Sequence, residues 1–435
     1  MGIDVAYENT TEIKSLVDEV STYTNLFIIG STGITYDQTK LDDTCQYLFD
    51  KNMSFIVYRG WTHRNSIWLT SWVESAKTRW GNNFLGFYYD DEIGGKQLDQ
   101  DAMIVTNAVD GTDAANQFVN VLGGELNRFT QYYYPNSTDY PLFTSDYALY
   151  WFDYKAGYDT LFAEFGWNYS RQLNVALCRG AANVQNKDWG VMITWTYTTS
   201  PYIESGEELY KDMVFAYQNG AKYIVVFDTN EEYTKGILQG EHLQAMEQFW
   251  QYVQENPRSN NSLSDRVGFA LPEDYAFGFR GPKDKIWGLW EANQFSLELS
   301  AHVNSLLEQY GTKLDIIYED GLQEGNTYGY SEIIHWSELG MSPYPYPSLN
   351  PLPSPTPTPT PPASQTPSPS PSPTPLPTQS PSTSPSSTQQ VTTSPEPEDT
   401  TRSPIDYGYL IVAGVTLGIV ASALVVFRKK FNCLL

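Results

Sequence analysis

The sequence predicts an α/β protein in which a (β/α)8 TIM-like barrel precedes a disordered Pro/Ser/Thr stalk and one C-terminal transmembrane helix. Three observations support this prediction. Short apolar runs alternate with helical periodicity over residues 1–320, which favours parallel strands joined by helices. Residues 342–406 are dominated by Pro, Ser and Thr and cannot build a core. Residues 410–427 carry no charge and are long enough to cross a bilayer.

Five regions follow from these patterns. They are the barrel at 1–320 with an insertion at 93–145, a short extension at 321–341, the stalk at 342–406, the transmembrane helix at 407–427 and a cytoplasmic tail at 428–435.

Eight apolar runs are predicted to be the barrel strands. In order they are residues 3–7, 26–30, 54–59, 84–89, 173–179, 190–197, 222–228 and 267–271. Between them, apolar residues recur at i, i+3, i+4 and i+7, the pattern of amphipathic helices. The predicted helices are residues 11–23, 41–51, 68–80, 146–165, 205–217, 237–255 and 293–309. Eight repeated β-α units can close into a barrel.

Two features of this assignment leave alternatives open. Only about ten residues separate the runs at 173–179 and 190–197, too few for a full connecting helix. The run at 314–318 is either the true eighth strand or part of a C-terminal extension with residues 333–336. An open doubly wound sheet is the structural alternative, but no glycine-rich phosphate loop follows the first strand.

The insertion at 93–145 is rich in Asn, Asp, Gly and Tyr. Connecting segments of this length are usually functional or disordered. We therefore expect a lid or a substrate-facing wall after the fourth strand.

Composition narrows the function. The formal net charge of -25 argues against nucleic acid as a partner. Aromatic residues make up 15% of the chain, and aromatic faces pack well on sugar rings, so carbohydrate is the expected partner. Three cysteines make no disulfide framework, and the four histidines show no metal-ligand spacing. We therefore predict no metal and no cofactor, and the oligomeric state stays unknown.

The C-terminal region predicts the location. Arg428, Lys429 and Lys430 follow the apolar segment directly, and the positive-inside rule places them in the cytoplasm. The barrel would then be extracellular on a single-pass anchor in the cell membrane. The first residues carry no export signal, so either the segment inserts as a tail anchor or the start is incomplete. We favour the second explanation. Glycosylation sequons agree with exposure; they stand at Asn9, Asn52, Asn136, Asn168 and Asn260.

The segment 84–95, FLGFYYDDEIGG, contains the strongest candidate site residues. An apolar run ends in Asp90, Asp91 and Glu92. Side chains alternate along a strand, so Tyr88, Asp90 and Glu92 should share one face, with Asp91 on the other. Clustered carboxylates shift each other's pKa and can act as acid and base. The alternative is that these acids cap a helix or lie solvated in a loop.

Barrel sites lie at the carboxyl ends of the strands, where this chain offers Tyr, Trp, Arg and carboxylates. Besides Ser31 and the acids Asp90, Glu92 and Asp228, we predict substrate contacts from Tyr7, Tyr88, Arg59, Arg179, Trp195, Tyr197 and Asp274. Side chains of these types are typical of sites that bind sugars. Because no Ser-His pair stands among these ends, acyl transfer is disfavoured.

The alternation Tyr88-x-Asp90-x-Glu92 resembles the end of the strand-four signature of chitinase-like glycoside hydrolases of the (β/α)8 superfamily. That resemblance implies that Glu92 is the general acid and Asp90 orients it. Phe84 and Phe87 stand near positions where the signature carries further acids.

A second resemblance is to retaining hydrolases with carboxylates on strands four and seven. It implies Glu92 as acid/base and Asp228 as nucleophile, although those families usually carry Glu at both places. Residues 274–290 and GAKYIVVFD also resemble uncharacterised extracellular hydrolase-like barrels of archaea and bacteria.

Three hypotheses follow. The first is a cell-surface glycoside hydrolase that cleaves polysaccharide or glycoprotein glycans. The second is a non-catalytic carbohydrate-binding or envelope-associated protein on a degenerate barrel, motivated by the departures from both family patterns. The third is a cation site built from Asp90, Asp91 and Glu92.

Overall fold

The structure is a computed structural model of the full chain. It describes residues 1–60, 67–133, 140–258, 263–322 and 327–342. The predicted stalk, transmembrane helix and cytoplasmic tail lie outside these described residues, apart from the first residue of the stalk. Within the described ranges, no helix combines the length and apolar character needed to cross a membrane.

Eight parallel strands close into a barrel in sequence order, which confirms the predicted (β/α)8 architecture. The strands are β1 Gly2–Val5, β2 Leu26–Ile29, β3 Ser54–Arg59, β4 Phe84–Tyr89, β5 Leu142–Asp146, β6 Thr160–Phe165, β7 Asp188–Ile193 and β8 Tyr223–Phe227. The barrel closes where β1 pairs with β8, with Gly2 opposite Val225.

Helices connect these strands and surround the barrel. They are α1 Thr10–Val20, α2 Thr32–Thr35, α3 Gln38–Asp50, α4 Leu69–Trp80, α5 Ile93–Asp99, α6 Gly111–Tyr133, α7 Tyr150–Ala156, α8 Arg171–Gln185, α9 Gly206–Gln218, α10 Gly240–Glu255 and α11 Gln294–Tyr310. Side-chain oxygens cap several helix starts; Asn9, for example, accepts from two amides of α1.

Side-chain alternation separates two cores. One set of strand residues fills the barrel, including Leu26, Ile56, Phe143, Phe162 and Val225. The intervening residues pack outward against the helices. Because the inward set alternates along each strand, the last inward position of a strand points into the mouth of the barrel.

The prediction of a strand at 173–179 is wrong, because these residues lie within α8. Ten consecutive residues of α8 are buried, from Leu173 to Ala182. The helix contacts β6 of the barrel and a strand of a second sheet. The stretch LNVALCR is a nearly continuous apolar run of strand length, and such a short run does not distinguish a buried strand from a buried helix.

The predicted helix at 146–165 and the predicted lid at 93–145 are also corrected. The first segment contains α7, a turn at Gly157 with φ 127°, and then β6. The second contains α5, α6 and the start of β5, so it is largely an ordinary β-α unit of the barrel. The strand predicted at 190–197 ends at Ile193.

Residues 267–271 are not the eighth barrel strand. They form β9 Val267–Leu271, which lies between β10 Leu314–Tyr318 and β11 Glu332–His335 in a separate parallel sheet. The barrel strands therefore end at Phe227, well before the predicted boundary at 320. The alternative that 314–318 joins 333–336 in an extension agrees with this sheet.

A buried ion pair joins the second sheet to the barrel helices. Arg179 Nε of α8 lies 2.6 Å from Asp315 Oδ1 of β10. Asn183 and Tyr330 donate to Asp315 Oδ2 at 3.0 and 2.9 Å. Gly180 follows Arg179 and lets the helix approach, since a side chain there would overlap the Ile316 carbonyl.

Replacing Arg179 with Leu should lower the free energy of unfolding of the full-length chain by about 3–5 kcal/mol, because Asp315 would be left buried without its cation. Urea unfolding measures the change. The control is Lys211→Met, which removes ion pairs to Glu207 and Glu208 that are exposed and should leave stability nearly unchanged. Equal effects of the two substitutions would contradict a structural role for the buried pair.

Candidate functional site

The acidic end of β4 is shaped by two left-handed residues. Asp90 has φ 58° and Glu92 has φ 52°, a conformation that ends a strand. The predicted alternation is therefore wrong beyond Tyr89. Asp91, not Asp90, turns back toward the inward-facing Tyr88, and the Tyr88 hydroxyl lies 2.5 Å from Asp91 Oδ1.

Four side chains form what we call the oxygen cluster: Tyr88, Asp91, Ser145 and Glu164. Ser145 Oγ lies 2.8 Å from the Tyr88 hydroxyl, 3.0 Å from Asp91 Oδ1 and 2.6 Å from Glu164 Oε1. The Ser145 amide donates to the Tyr88 oxygen at 3.0 Å. The cluster joins the carboxyl ends of β4, β5 and β6 inside the barrel mouth.

Glu92 lies beside this cluster and is more exposed to solvent than Glu164. Its side chain is 31% exposed and its Oε2 lies 3.5 Å from Lys96 Nζ. Lys96 also donates to the Asp91 carbonyl at 2.9 Å. Burial, followed by the charge of Asp91, raises the pKa of Glu92 to about 7 against the opposing effect of Lys96. Glu92 can therefore exchange a proton near neutral pH.

Asp146 holds the segment that follows Glu92. Its carboxylate accepts from the amides of Gly94 and Gly95 at 2.6 and 2.9 Å, and from Tyr147 and Ala148 at 2.7 and 3.0 Å. Burial raises the pKa of Asp146 to about 6, although these four amides act in the opposite direction. The first turn of α5 is thereby fixed to the end of β5.

Two further acids lie near the cluster. Burial raises the pKa of Asp90 to about 6 while Lys96 opposes the shift. Asp4 of β1 is 6% exposed, and burial followed by the charge of Asp91 raises its pKa well above the usual range. Asp4 Oδ1 has no hydrogen-bond partner among the residues described.

Aromatic rings border the mouth. Trp195, after β7, lies 5.6 Å from Tyr202 and 6.5 Å from Tyr233 between ring centroids, and its Nε1 donates to the Thr229 carbonyl at 2.8 Å. Tyr233 is 44% exposed. Burial of its hydroxyl end, and then the charges of Asp91 and Glu92, raises the pKa of Tyr233 to about 12, while Lys96 opposes the shift.

A second pair of rings follows β5 and β6. Tyr147 and Tyr169 stack with centroids 5.7 Å apart. Burial raises the pKa of Tyr169, Arg280 opposes this shift, and the carboxylates of Asp99, Glu164 and Glu92 add to it.

The structure brings only some of the predicted site residues together. Tyr88, Asp90 and Glu92 lie at the end of β4, and Trp195 lies at the mouth. Tyr197 is 49% exposed in the loop after β7. The remaining predicted residues point elsewhere.

Asp228 follows the inward-facing Phe227 and faces outward. Its Oδ1 accepts from the amides of Ile237 and Leu238 at 2.6 and 2.8 Å, so it holds the loop before α10. Tyr7 is 1% exposed, and burial followed by Asp228 raises its pKa. The structure thus does not pair Asp228 with Glu92.

The predicted substrate-binding residues Arg59, Arg179 and Asp274 contact other parts of the protein and do not face the barrel mouth. Arg59 is 1% exposed, donates to the Thr35 carbonyl and lies 4.2 Å from the Tyr36 ring centroid. Arg179 is occupied by Asp315. Asp274 follows β9 of the second sheet, where its carbonyl accepts from the Trp287 indole at 2.9 Å.

Sequence reasoning missed Ser145, Asp146 and Glu164. Residues 142–145 of β5 fell inside the predicted lid, and Asp146 and all of β6, with Glu164 next to its last residue, fell inside the predicted helix. The short apolar run in TLFAEF and the turn at Gly157 were the available signals. For the cation hypothesis, no group of three His, Cys, Asp or Glu side chains arranged to hold a metal is found in the described part of the chain.

The free energy of unfolding should fall as pH rises from 5 to 8. Asp90, Glu92 and Asp146 have pKa values of about 6, 7 and 6 when folded, above the unfolded values of about 3.9 and 4.3. At these three groups the folded state binds more protons, which outweighs the buried N-terminal ammonium of Met1, whose pKa is lowered to about 5 and which acts in the opposite direction. Stability therefore decreases with pH through this window. Carboxyls such as Asp18, with lowered pKa, titrate below it. Chemical denaturation of the full-length chain at both pH values is the measurement, and a rise in stability would contradict the assignment.

Comparison with known proteins gives structural neighbours only. No protein-family model matches the chain, and no curated protein matches it. A β-galactosidase from the Antarctic haloarchaeon Halorubrum lacusprofundi is similar in structure, with 9% sequence identity and a TM-score of 0.49. The similarity covers 77% of this chain and 69% of that chain.

Two further structural neighbours contain a bound sugar. A GH5_18 protein from Bifidobacterium longum subsp. longum in complex with Manb1-4GlcNAc has 10% identity, 77% and 96% coverage and TM-score 0.42. An endocellulase from Pyrococcus horikoshii in complex with cellotetraose has 8% identity, 57% and 92% coverage and TM-score 0.38. Similarity at this level says nothing about the chemistry of this chain.

Proposed function

We propose that the barrel mouth binds a carbohydrate and hydrolyses a glycosidic bond, with Glu92 as general acid/base and Asp91 as the second carboxyl group. One observation supports this most directly. A half-buried Glu92 with pKa about 7 stands next to an Asp91 carboxyl that is held by the Tyr88 and Ser145 hydroxyls. Glycosidic cleavage requires two carboxyl groups in different environments.

The chemistry divides between the two groups. Protonated Glu92 donates its proton to the leaving oxygen as the C–O bond breaks, and the electron pair of that bond stays with the leaving group. The Asp91 carboxylate stabilises the positive charge that develops at the anomeric carbon. Glu92, now ionised, takes a proton from the incoming water. Asp91 replaces Asp90 as the partner of Glu92 because its hydroxyl contacts orient it into the mouth.

The aromatic border supports a sugar as the ligand. Trp195 and Tyr233 offer ring faces beside the acids, and Tyr147 and Tyr169 offer a second pair. Flat rings pack on the apolar faces of pyranoses while the carboxyl groups accept hydrogen bonds from hydroxyls. The particular glycan and linkage are to be found by screening.

Glu92→Gln should reduce kcat on the substrate found by about 10²–10⁴-fold, because the amide cannot transfer a proton. Asp91→Asn should reduce it comparably. The control is Glu247→Gln, which removes an exposed carboxyl on α10 and should keep full activity. Initial rates of the full-length chain on a panel of aryl glycosides and polysaccharides provide the measurement. Full activity in Glu92→Gln would overturn the assignment.

The alternative is a non-catalytic carbohydrate-binding protein. It is favoured by the turning of Asp228 away from the mouth, which removes the carboxyl that the retaining pattern would need. Glycan binding that is lost in Trp195→Ala, without turnover of any bound glycan, would establish this alternative. If the chain shows no turnover and binds no glycan, both forms of the proposal are contradicted.

We also propose that the chain is a single-pass protein of the cell membrane, with the barrel outside and residues 428–435 in the cytoplasm. The charge-free segment 410–427 and the three basic residues after it support this. The full-length chain should fractionate with membranes and resist alkaline extraction, and deletion of residues 407–427 should release it. Protease added to intact cells should digest the barrel region, and protection of that region would contradict the orientation.

A further inference from the structure

The oxygen cluster contains more short contacts than its hydroxyl hydrogens can serve. Four oxygen–oxygen contacts join Tyr88, Asp91, Ser145 and Glu164, with lengths of 2.5, 2.8, 3.0 and 2.6 Å. The two hydroxyls supply one hydrogen each, and ionised carboxylates supply none. The Ser145 amide hydrogen is used on the Tyr88 oxygen, so it cannot serve a carboxylate contact.

Two hydrogens leave two of the four contacts without a hydrogen, and if Ser145 donates to Glu164 one of these is the 3.0 Å contact between Ser145 Oγ and the Asp91 carboxylate, which is then repulsive. A third hydrogen, carried by one of the two acids, leaves only the 2.8 Å contact between the two hydroxyl oxygens without one. Asp91 already accepts on Oδ1 from two hydroxyl directions and is the less buried acid. Glu164 is 3% exposed and touches the cluster through Ser145 alone.

We infer that Glu164 is a protonated carboxylic acid that donates its hydrogen to Ser145 Oγ, so that Ser145 donates in turn to Asp91. Glu164 is then a positioning residue: it acts through Ser145 and fixes the orientation of Asp91 without touching the sugar. The catalytic meaning of this assignment rests on the function proposed above, whereas the protonation state itself does not.

The electrostatic surroundings agree with a neutral Glu164. Burial, then the carboxylates of Glu92 and Asp91, raises the pKa of Glu164 well above its usual range, and the Ser145 hydrogen bond opposes this only partly. The ionisable groups that face it are mostly acidic or phenolic, and Lys96 is the one cation that we find among them in the described structure; they are Asp91, Glu92, Lys96, Asp146, Tyr150 and Tyr169.

Proton linkage gives a test that needs no substrate. If Glu164 keeps its proton when folded and loses it when unfolded, the wild-type unfolding constant must rise about tenfold per pH unit more than that of Glu164→Gln between pH 5 and 7. The Gln amide can donate to Ser145 as the acid does, so this variant should fold. Urea unfolding of both full-length chains measures the two slopes.

The comparison isolates one group. Asp90, Glu92 and Asp146 contribute the same slope to both chains, because a neutral amide replaces a neutral acid. Glu247→Gln, at an exposed position, should leave the wild-type slope unchanged. Equal slopes for wild type and Glu164→Gln would show that Glu164 is ionised in the folded chain and would overturn the inference.

A second measurement uses the wild-type chain, in case the variant does not fold. With ¹³C at the Glu carboxyl carbons, a protonated Glu gives a carbonyl infrared band distinct from the carboxylate bands. At pH 9, Glu92 and Glu204, with pKa values of about 7 and 8, are mostly ionised. A protonated-Glu band should persist there, and its absence would also overturn the inference.

The activity assay separates the two proposals. If glycoside turnover is found, Glu164→Gln should retain most of kcat, whereas Glu164→Leu, which cannot donate to Ser145, should lose at least tenfold. If no turnover is found but the slopes differ as expected, the protonated Glu164 stands and only the catalytic function fails.

Discussion

The Asp146 carboxylate is the interaction on which the geometry of the barrel mouth depends. It is buried, and four backbone amides offset the cost of burying its charge. Two of these amides belong to the first turn of α5 and two to the chain just after β5. One side chain therefore fixes the exit of β4 against the exit of β5. Glu92 immediately precedes that turn, and Lys96 lies within it, so their contact follows from the same anchor.

Around this anchor, the barrel collects acids that are far apart in the chain. Parallel strands present all their carboxyl ends on one side. On β1, β4, β5 and β6 the last inward residues are Asp4, Tyr88, Ser145 and Glu164, whereas β2, β7 and β8 end inward on Ile28, Met192 and Phe227. In a low-dielectric mouth, neighbouring carboxyls cannot all be ionised. Burial is the largest cause of the raised pKa values of Glu92, Asp90 and Asp146, and the charge of Asp91 adds to the rise at Glu92 and Asp90. Hydroxyl groups separate the acids and give each one a different set of donors.

The sequence predicted the eightfold alternation because most strands are apolar runs of ordinary length between amphipathic helices. It failed at α8, because the short, nearly continuous apolar run LNVALCR does not distinguish a buried helix from a strand. Naming that run a strand displaced β5 and β6, and with them Ser145, Asp146 and Glu164. The count of eight was kept because the α8 run and β9 were counted in place of β5 and β6.

The end of β4 shows a different kind of limit. The alternation rule holds as far as Tyr89 and then gives way to left-handed conformations at Asp90 and Glu92. These are tertiary in origin: the Glu92 amide donates to the Ser145 carbonyl at 3.0 Å and the Asp90 amide to the Arg59 carbonyl at 2.9 Å. Partners from other strands decide which acid faces inward, and the local sequence contains no record of them.

The placement of α8 between two sheets determines where this chain can be cut into a fragment that folds. Arg179 of α8 is buried and paired only while the second sheet, which contains Asp315, covers that side of the helix. The barrel therefore cannot be excised after β8 without exposing α8 and the unpaired Arg179. The barrel and the second sheet therefore belong in the same fragment. A fragment that ends after Leu339 keeps both, whereas one that ends after Phe227 loses the sheet.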